Sequence, residues 1–334
     1  MQVNFEKDPR QVIIRRALCM KDMIDAFSDP SITNDRLVMR WKADNGCLEA
    51  AVGDGVIRDC LSQFWQEFYS QCTIGHHCKV PFLRHDFSSV SWKSVARIYL
   101  VGWREYGYIP HLLAVPFMEE TIYGKTYSSL VDSFLDYVDK DEKETIQKAL
   151  DNFDPDDTDE LMSVLEQYGC RSVLRGNTIA TVVEEIAHKQ LIQTPMFVID
   201  SWRSELQQMA FHLLHESFID LCGSLEPTTK IVKKSLVFPE GKEDETAAKY
   251  LRKFVGGLDE RLLKRFLRFC TGADLYLGSL ITVTLTTMKG LERRPVGHTC
   301  TKELHIPSEY DSYPEFRDEF TNILDSNEWE MEFS

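Results

Sequence analysis

The sequence predicts an α+β protein in two lobes, a mainly helical first lobe and a smaller α/β second lobe joined by a flexible hinge. Three observations predict it. Apolar residues through the first two thirds recur at three and four residue spacings, the period of an α-helix. Ile281-Thr282-Val283-Thr284-Leu285 alternates instead with the period of a half-buried strand. Between these regions, Cys222-Gly223-Ser224-Leu225-Glu226-Pro227 stops the longest helical run with residues that permit a sharp change of direction. The expected division is a first lobe over 1–222, a hinge at 223–227 and a second lobe over 228–334.

The first helix is carried by Val56, Ile57, Cys60, Leu61, Phe64, Trp65, Phe68 and Tyr69, which lay one apolar stripe along its length. Trp92 to Tyr108 is denser still, with Val95, Ile98, Tyr99, Leu100 and Val101 leaving few polar positions, so this helix belongs deep in a core. Phe134, Leu135 and Val138 mark a further helix, and Leu161, Met162, Val164, Leu165 and Tyr168 another. The acidic segment 151–160 links these two, and Pro155 prevents one helix from running through it. Trp202, Leu206, Met209, Ala210, Leu213, Leu214 and Phe218 then read as one long amphipathic helix. Beyond the hinge, Ala247 to Phe269 reads as two helices separated by Gly256-Gly257, and a final helix carries Phe316, Phe320, Ile323 and Leu324. No repeat of solenoid period is present.

Composition excludes several classes of function. The formal charge of −15 repels phosphate backbones, so neither nucleic acid nor an anionic membrane surface is an expected partner. Arg15-Arg16, Lys233-Lys234 and Arg293-Arg294 are isolated pairs of the kind found on solvated faces. No apolar run reaches the roughly 18 to 20 residues of a membrane helix. The nine cysteines are odd in number and scattered, with no secretory leader, which fits a reducing compartment, the cytoplasm or nucleus. Cys72, His76, His77, Cys78 and His85 are donors that zinc prefers, but their spacing matches no common finger or ribbon. His212 and His215 lack the carboxylate of a helical zinc motif. No metal or other cofactor is expected.

One thiol stands apart. Pro295-Val296-Gly297-His298-Thr299-Cys300 places Cys300 between polar groups just beyond an apolar alternating run, where a nucleophile can be displayed. On an extended segment His298 and Cys300 project to the same side, and a thiol becomes reactive when its surroundings favour the thiolate. A lone free cysteine is more commonly a small buried hydrophobe. The surrounding sequence weighs the other way.

Upstream lies Phe266-Leu267-Arg268-Phe269-Cys270-Thr271-Gly272. Downstream come Leu304-His305-Ile306-Pro307 and Tyr310-Asp311-Ser312-Tyr313-Pro314-Glu315-Phe316. This ordered set resembles the C-terminal lobe of HECT-type ubiquitin ligases, in which a helix running into Thr-Gly is followed by His-Thr-Cys, then L-x-L-P, then a tyrosine-rich segment. Gly53-Asp54-Gly55-Val56-Ile57-Arg58 is similar to the glycine-rich turn that opens a helix of the family's N-terminal lobe. Residues 96–102, followed by Ala114-Val115-Pro116-Phe117, are similar to its buried helix and its exit. The resemblance is strong over 247–325 and fragmentary over about 130–200.

The resemblance implies a bilobal HECT-like fold and an E3 ubiquitin-protein transferase. Cys300 would take ubiquitin from a ubiquitin-charged conjugating enzyme (E2) as a thioester and pass it to a lysine of a protein substrate, with His298 and Thr299 in support. Exchange between two thioesters of similar energy requires no strong general base. The sequence departs from the family in having Thr301-Lys302 where an asparagine after an aromatic is usual, Gly297 in place of a small alanine or serine, and Met331 where a phenylalanine stands fourth from the end, with Trp329 and Phe333 nearby. These departures bear on the acceptor lysine more than on the thioester. The family's strand-rich subdomain for gripping the conjugating enzyme has no counterpart between Asp139 and Ala187, which reads acidic and helical. Two other readings stay open: a catalytically impaired HECT-like module that binds ubiquitin or a partner, and a cysteine hydrolase built on Cys300.

Overall fold

The computed structural model describes residues 8–288 and 293–326. In chain order the regular elements are β1 (Arg10–Arg15), α1 (Cys19–Ala26), β2 (Leu37–Lys42), α2 (Asp54–Cys72), β3 (Thr73–Ile74), β4 (Val80–Pro81), α3 (Ser89–Tyr106), α4 (Val115–Tyr123), α5 (Leu130–Tyr137), α6 (Lys140–Asp151), α7 (Thr158–Gln167), α8 (Ile179–His188), α9 (Met196–Leu206), α10 (His215–Leu225), α11 (Thr229–Ser235), β5 (Leu236–Val237), α12 (Thr246–Gly256), α13 (Glu260–Thr271), β6 (Ile281–Thr286), β7 (Val296–His298), β8 (Glu303–Pro307) and α14 (Tyr313–Ser326). Among the described residues no helix is long and apolar enough to cross a membrane.

The chain forms two compact units. The first gathers residues 1–66, 101–109 and 221–334, and the second holds 67–100 and 110–220. The first unit therefore draws on both ends of the chain.

Within the first unit, β1 and β2 pair in parallel with Val12 opposite Met39 and Ile14 opposite Trp41. All four side chains are buried. The intervening segment carries α1, as a parallel connection requires. The later part of the unit is a four-stranded sheet in the order β5, β6, β8, β7. β6 is parallel to β5 and β8, and β7 is antiparallel to β8. The packed helices share its core through Leu251, Phe254, Phe266, Leu267, Phe316 and Phe320 around Ile281, Val283, Leu304 and Ile306. The helix α13 begins at Asp259, whose carboxylate accepts from the Leu262 amide at 2.7 Å. It ends at Gly272 with a left-handed φ of 80°.

The second unit is helical apart from the short β3–β4 hairpin. Fully buried Trp202 lies among the rings of Phe68, Tyr99 and Phe117, at centroid distances of 6.1, 6.5 and 5.5 Å. Residues 139–187 form α6, α7 and α8 without a strand. A reciprocal cap opens α6: the Asp139 carboxylate accepts from the Glu142 amide at 2.9 Å, and Glu142 accepts from the Asp139 amide at 3.1 Å.

One expected element is corrected. The run from Trp202 to Phe218 is not a single helix: α9 stops at Leu206, residues 207–211 tighten into a 3-10 turn, and α10 starts at His215. Met209 is buried inside that turn. An apolar contact on the helical period thus persists where the helix does not. Gly223 and Ser224 lie within α10, and the break before α11 falls at 226–228.

Candidate active site

Cys300 sits in a turn between two short antiparallel strands. β7 ends at His298, which is paired with Glu303 at the start of β8, and residues 299–302 reverse the chain. Lys302 closes the turn with a φ of 59°, a left-handed conformation rare for a residue with a side chain. Its carbonyl accepts from the Thr282 amide at 3.0 Å, tying the turn to β6. Extended backbone stops at His298, so the alternation that would put its ring on the same side as Cys300 does not reach the thiol. The His298 Nε2 lies 3.3 Å from His305 Nδ1. His305 in turn approaches the Glu303 carboxylate at 3.5 Å.

The segment leading into α2 lies against this turn, within the same unit. The Cys300 thiol donates to the Val52 carbonyl at 3.4 Å. Gly55 has no room for a side chain, because a Cβ there would stand 2.3 Å from Thr299 Oγ1 and 2.7 Å from the Cys300 amide nitrogen. The Gly272 Cα faces the start of α2, where a Cβ would meet the Gly55 carbonyl oxygen at 2.3 Å. At Gly297 a Cβ would come within 2.2 Å of the Phe269 carbonyl oxygen. Alanine or serine would collide with the end of α13 there. That is the physical reason for glycine at this place.

Charge is buried in the same contact. The Arg58 guanidinium donates from Nε to the Thr271 carbonyl and from Nη2 to the Thr299 carbonyl, both at 2.7 Å. Next to it the Ser62 hydroxyl donates to the Gly272 carbonyl at 3.1 Å. The Asp59 carboxylate, 2% exposed, accepts from Trp41 Nε1 at 2.8 Å and from Arg268 Nε at 2.6 Å. Asp274 accepts from the Tyr108 hydroxyl at 2.8 Å and from the Gln66 amide at 3.1 Å. Burial pulls the Arg58 pKa below its ordinary value, against the opposing pull of the Asp54 and Cys300 anions. Burial first, and then the Arg58 cation, lower that of Lys302, with Asp54 opposing. The turn thus contains the Lys302 cation and is held by the Arg58 cation, with the Asp54 carboxylate acting on both.

Of the nine free cysteines only Cys47 and Cys300 are exposed. Burial drives the Cys60 and Cys270 thiols far up and raises Cys72 to about 11 and Cys78 and Cys222 each to about 12, so these resist becoming thiolates near neutral pH. Thr299 is buried, with its hydroxyl facing Gly55 and its carbonyl held by Arg58. Among the described residues no three His, Cys, Asp or Glu side chains converge as a metal site requires. His215 is bound to the buried Glu119 at 2.6 Å, a carboxylate partner supplied by another helix. Trp329, Met331 and Phe333 lie outside the described residues.

Sequence reasoning singled out the glycine-rich segment 53–58 and the Thr-Gly end of α13 separately. It missed that they meet at Cys300. Tight glycines at Gly55, Gly272 and Gly297 were the available signal, since each is a place where another backbone passes within contact distance.

Residues 179–333 match the family model of the HECT domain (ubiquitin-transferase). No curated protein matches the chain. The matched region contains Cys300, and the mainly helical chain with its smaller β-containing part is consistent with the bilobal fold of that family.

Proposed function

We propose, from the premise that this chain contains the HECT domain of a ubiquitin transferase, that Cys300 is its thioester nucleophile. The observation that carries the proposal is an exposed thiol inside the matched region, in a turn whose Thr299 carbonyl is held by the Arg58 guanidinium. The Cys300 thiolate attacks the carbonyl carbon of the thioester that joins ubiquitin to a conjugating enzyme. The carbon–sulfur bond to that enzyme breaks and its thiolate leaves. A neutral lysine amine of a protein substrate then attacks the new thioester, Cys300 leaves as thiolate, and the surplus ammonium proton passes to solvent. His298 and Thr299 support the turn rather than the sulfur, His298 through its pairing with Glu303 and Thr299 through its carbonyl on Arg58. The partners are a ubiquitin-charged conjugating enzyme, ubiquitin and the substrate, and no cofactor enters the chemistry. We further propose lobes over 1–222 and 228–334 that pivot about 223–227, and residence in a reducing compartment such as the cytoplasm or nucleus.

The test is incubation with activated ubiquitin and a panel of conjugating enzymes, followed on a non-reducing gel. The parent is expected to form an adduct that thiol releases. Cys300→Ser is expected to form one that resists thiol and yields to base, because an oxyester replaces the thioester. An undiminished adduct on Cys300→Ala would move the nucleophile elsewhere. A second reading, a HECT-like module that binds ubiquitin or a partner without transfer, is favoured by the strandless segment 139–187. Binding of ubiquitin with no adduct in any combination would select it.

A further inference from the structure

We propose that Arg58 is the positioning residue for Cys300: one guanidinium fixes the nucleophile's turn against the end of α13 and holds a positive charge beside the thiol. This rests on the reading of Cys300 as nucleophile. The geometry is specific to a planar, two-pronged donor. Its Nε reaches the Thr271 carbonyl, at the last residue of α13, and its Nη2 reaches the carbonyl of Thr299, whose next residue is Cys300. A lysine ammonium carries charge but presents no rigid fork to span two such acceptors.

The electrostatics point the same way. Arg58 is 7% exposed, and the strongest favourable charge acting on it is the Asp54 carboxylate at the start of α2. Its hydrogen-bonded partners are neutral carbonyls. A buried cation whose hydrogen bonds go to neutral groups is costly, and a similar bridge is made nearby without any charge by the Ser62 hydroxyl on the Gly272 carbonyl. Holding the turn in place therefore does not by itself call for a guanidinium. The anions that act on Arg58 are the Asp54 carboxylate first and the Cys300 thiolate second, and of the two only the thiolate appears during turnover. While the turn is held against the end of α13, the Arg58 charge stands on the carbonyl of the residue preceding Cys300.

Alkylation of Cys300 tests this without ubiquitin, because iodoacetamide reacts with the thiolate. Intact-protein alkylation at neutral pH, resolved by peptide mapping, would compare the parent with Arg58→Met, Arg58→Lys and Ser62→Ala. Exposed Cys47 in the same molecule serves as internal reference. Relative to Cys47, the Cys300 rate is expected to fall about tenfold in Arg58→Met, less in Arg58→Lys, where the charge persists without the fork, and to hold in Ser62→Ala. Should Arg58→Met not fold, Arg58→Lys carries the comparison, with a thermal melt recorded for each protein. An unchanged Cys300 rate in a folded Arg58 variant overturns the proposal. So does a faster one, which would make the arginine a mere shield over the thiol. If the alkylation rates fall as stated but no ubiquitin adduct forms on the parent, the assignment of Arg58 stands and the transfer reading fails.

Discussion

At the scale of single residues, close backbone approach decides what the site tolerates. A methyl group at Gly55 would overlap Thr299 Oγ1 and the Cys300 amide, both fixed in the turn. Gly55→Ala is expected to lower stability by about 1–3 kcal/mol, the usual cost of overpacking. Denaturant unfolding measures it, and an unchanged midpoint would mean that the turn yields freely. Glu119 makes a second case. Burial pushes this carboxyl up, but hydrogen bonds from the Ser128 hydroxyl, the Ser128 and Tyr127 amides and His215 outweigh it, leaving the pKa below the ordinary value. A carboxylate with a depressed folded pKa stabilises fully above its unfolded value, about 4.3, and loses that contribution as pH falls through the folded value. Glu119→Gln should therefore cost more stability at pH near 7 than at pH near 3. Urea unfolding at both ends of that window decides it, and an equal cost at both would remove the carboxylate's charge from the explanation. The sequence announced Cys300 because its flanking residues are chemically distinctive. It did not announce Arg58, because a lone arginine in an apolar helical stripe looks the same whether it meets water or two carbonyls.

At the scale of elements, the segment between the helical part and the C-terminal sheet behaves differently from its composition. Gly223 lies in α10, is exposed, and has open space where a Cβ would stand. Gly223→Ala should stabilise by about 0.5–1 kcal/mol, as expected for a glycine in a helix interior. A lower melting temperature for the variant would show that this glycine bends in solution. Stripes of eight or more apolar positions, as in α2 and α3, were legible because the 3.6-residue period has room to repeat. The interruption at 207–211 was not, since Met209 stays buried through the tighter turn and preserves the spacing. β5 and β7 span only two and three residues, too short for any alternation to register. β6, with six, was visible.

At the scale of the whole molecule, recruitment is the open question that the fold frames. Residues 139–187 offer three helices and no strand pair in the region where the family resemblance implies a strand-rich grip on the conjugating enzyme. Affinity is accordingly expected to be weak, or confined to very few conjugating enzymes. Titration calorimetry across a broad panel checks this, and tight binding to many members would contradict it.

The discontinuous first unit has a consequence for how this protein comes into being. Arg58 is made early, but the carbonyls that satisfy it, those of Thr271 and Thr299, leave the ribosome more than two hundred residues later. Until then this charge must remain hydrated, because burying it alone would cost several kcal/mol. The face of α2 that carries it cannot dock during synthesis. The second unit, complete by residue 220, is free to close before then. The nucleophile's turn is therefore assembled late, in the same event that brings α2 against the end of α13.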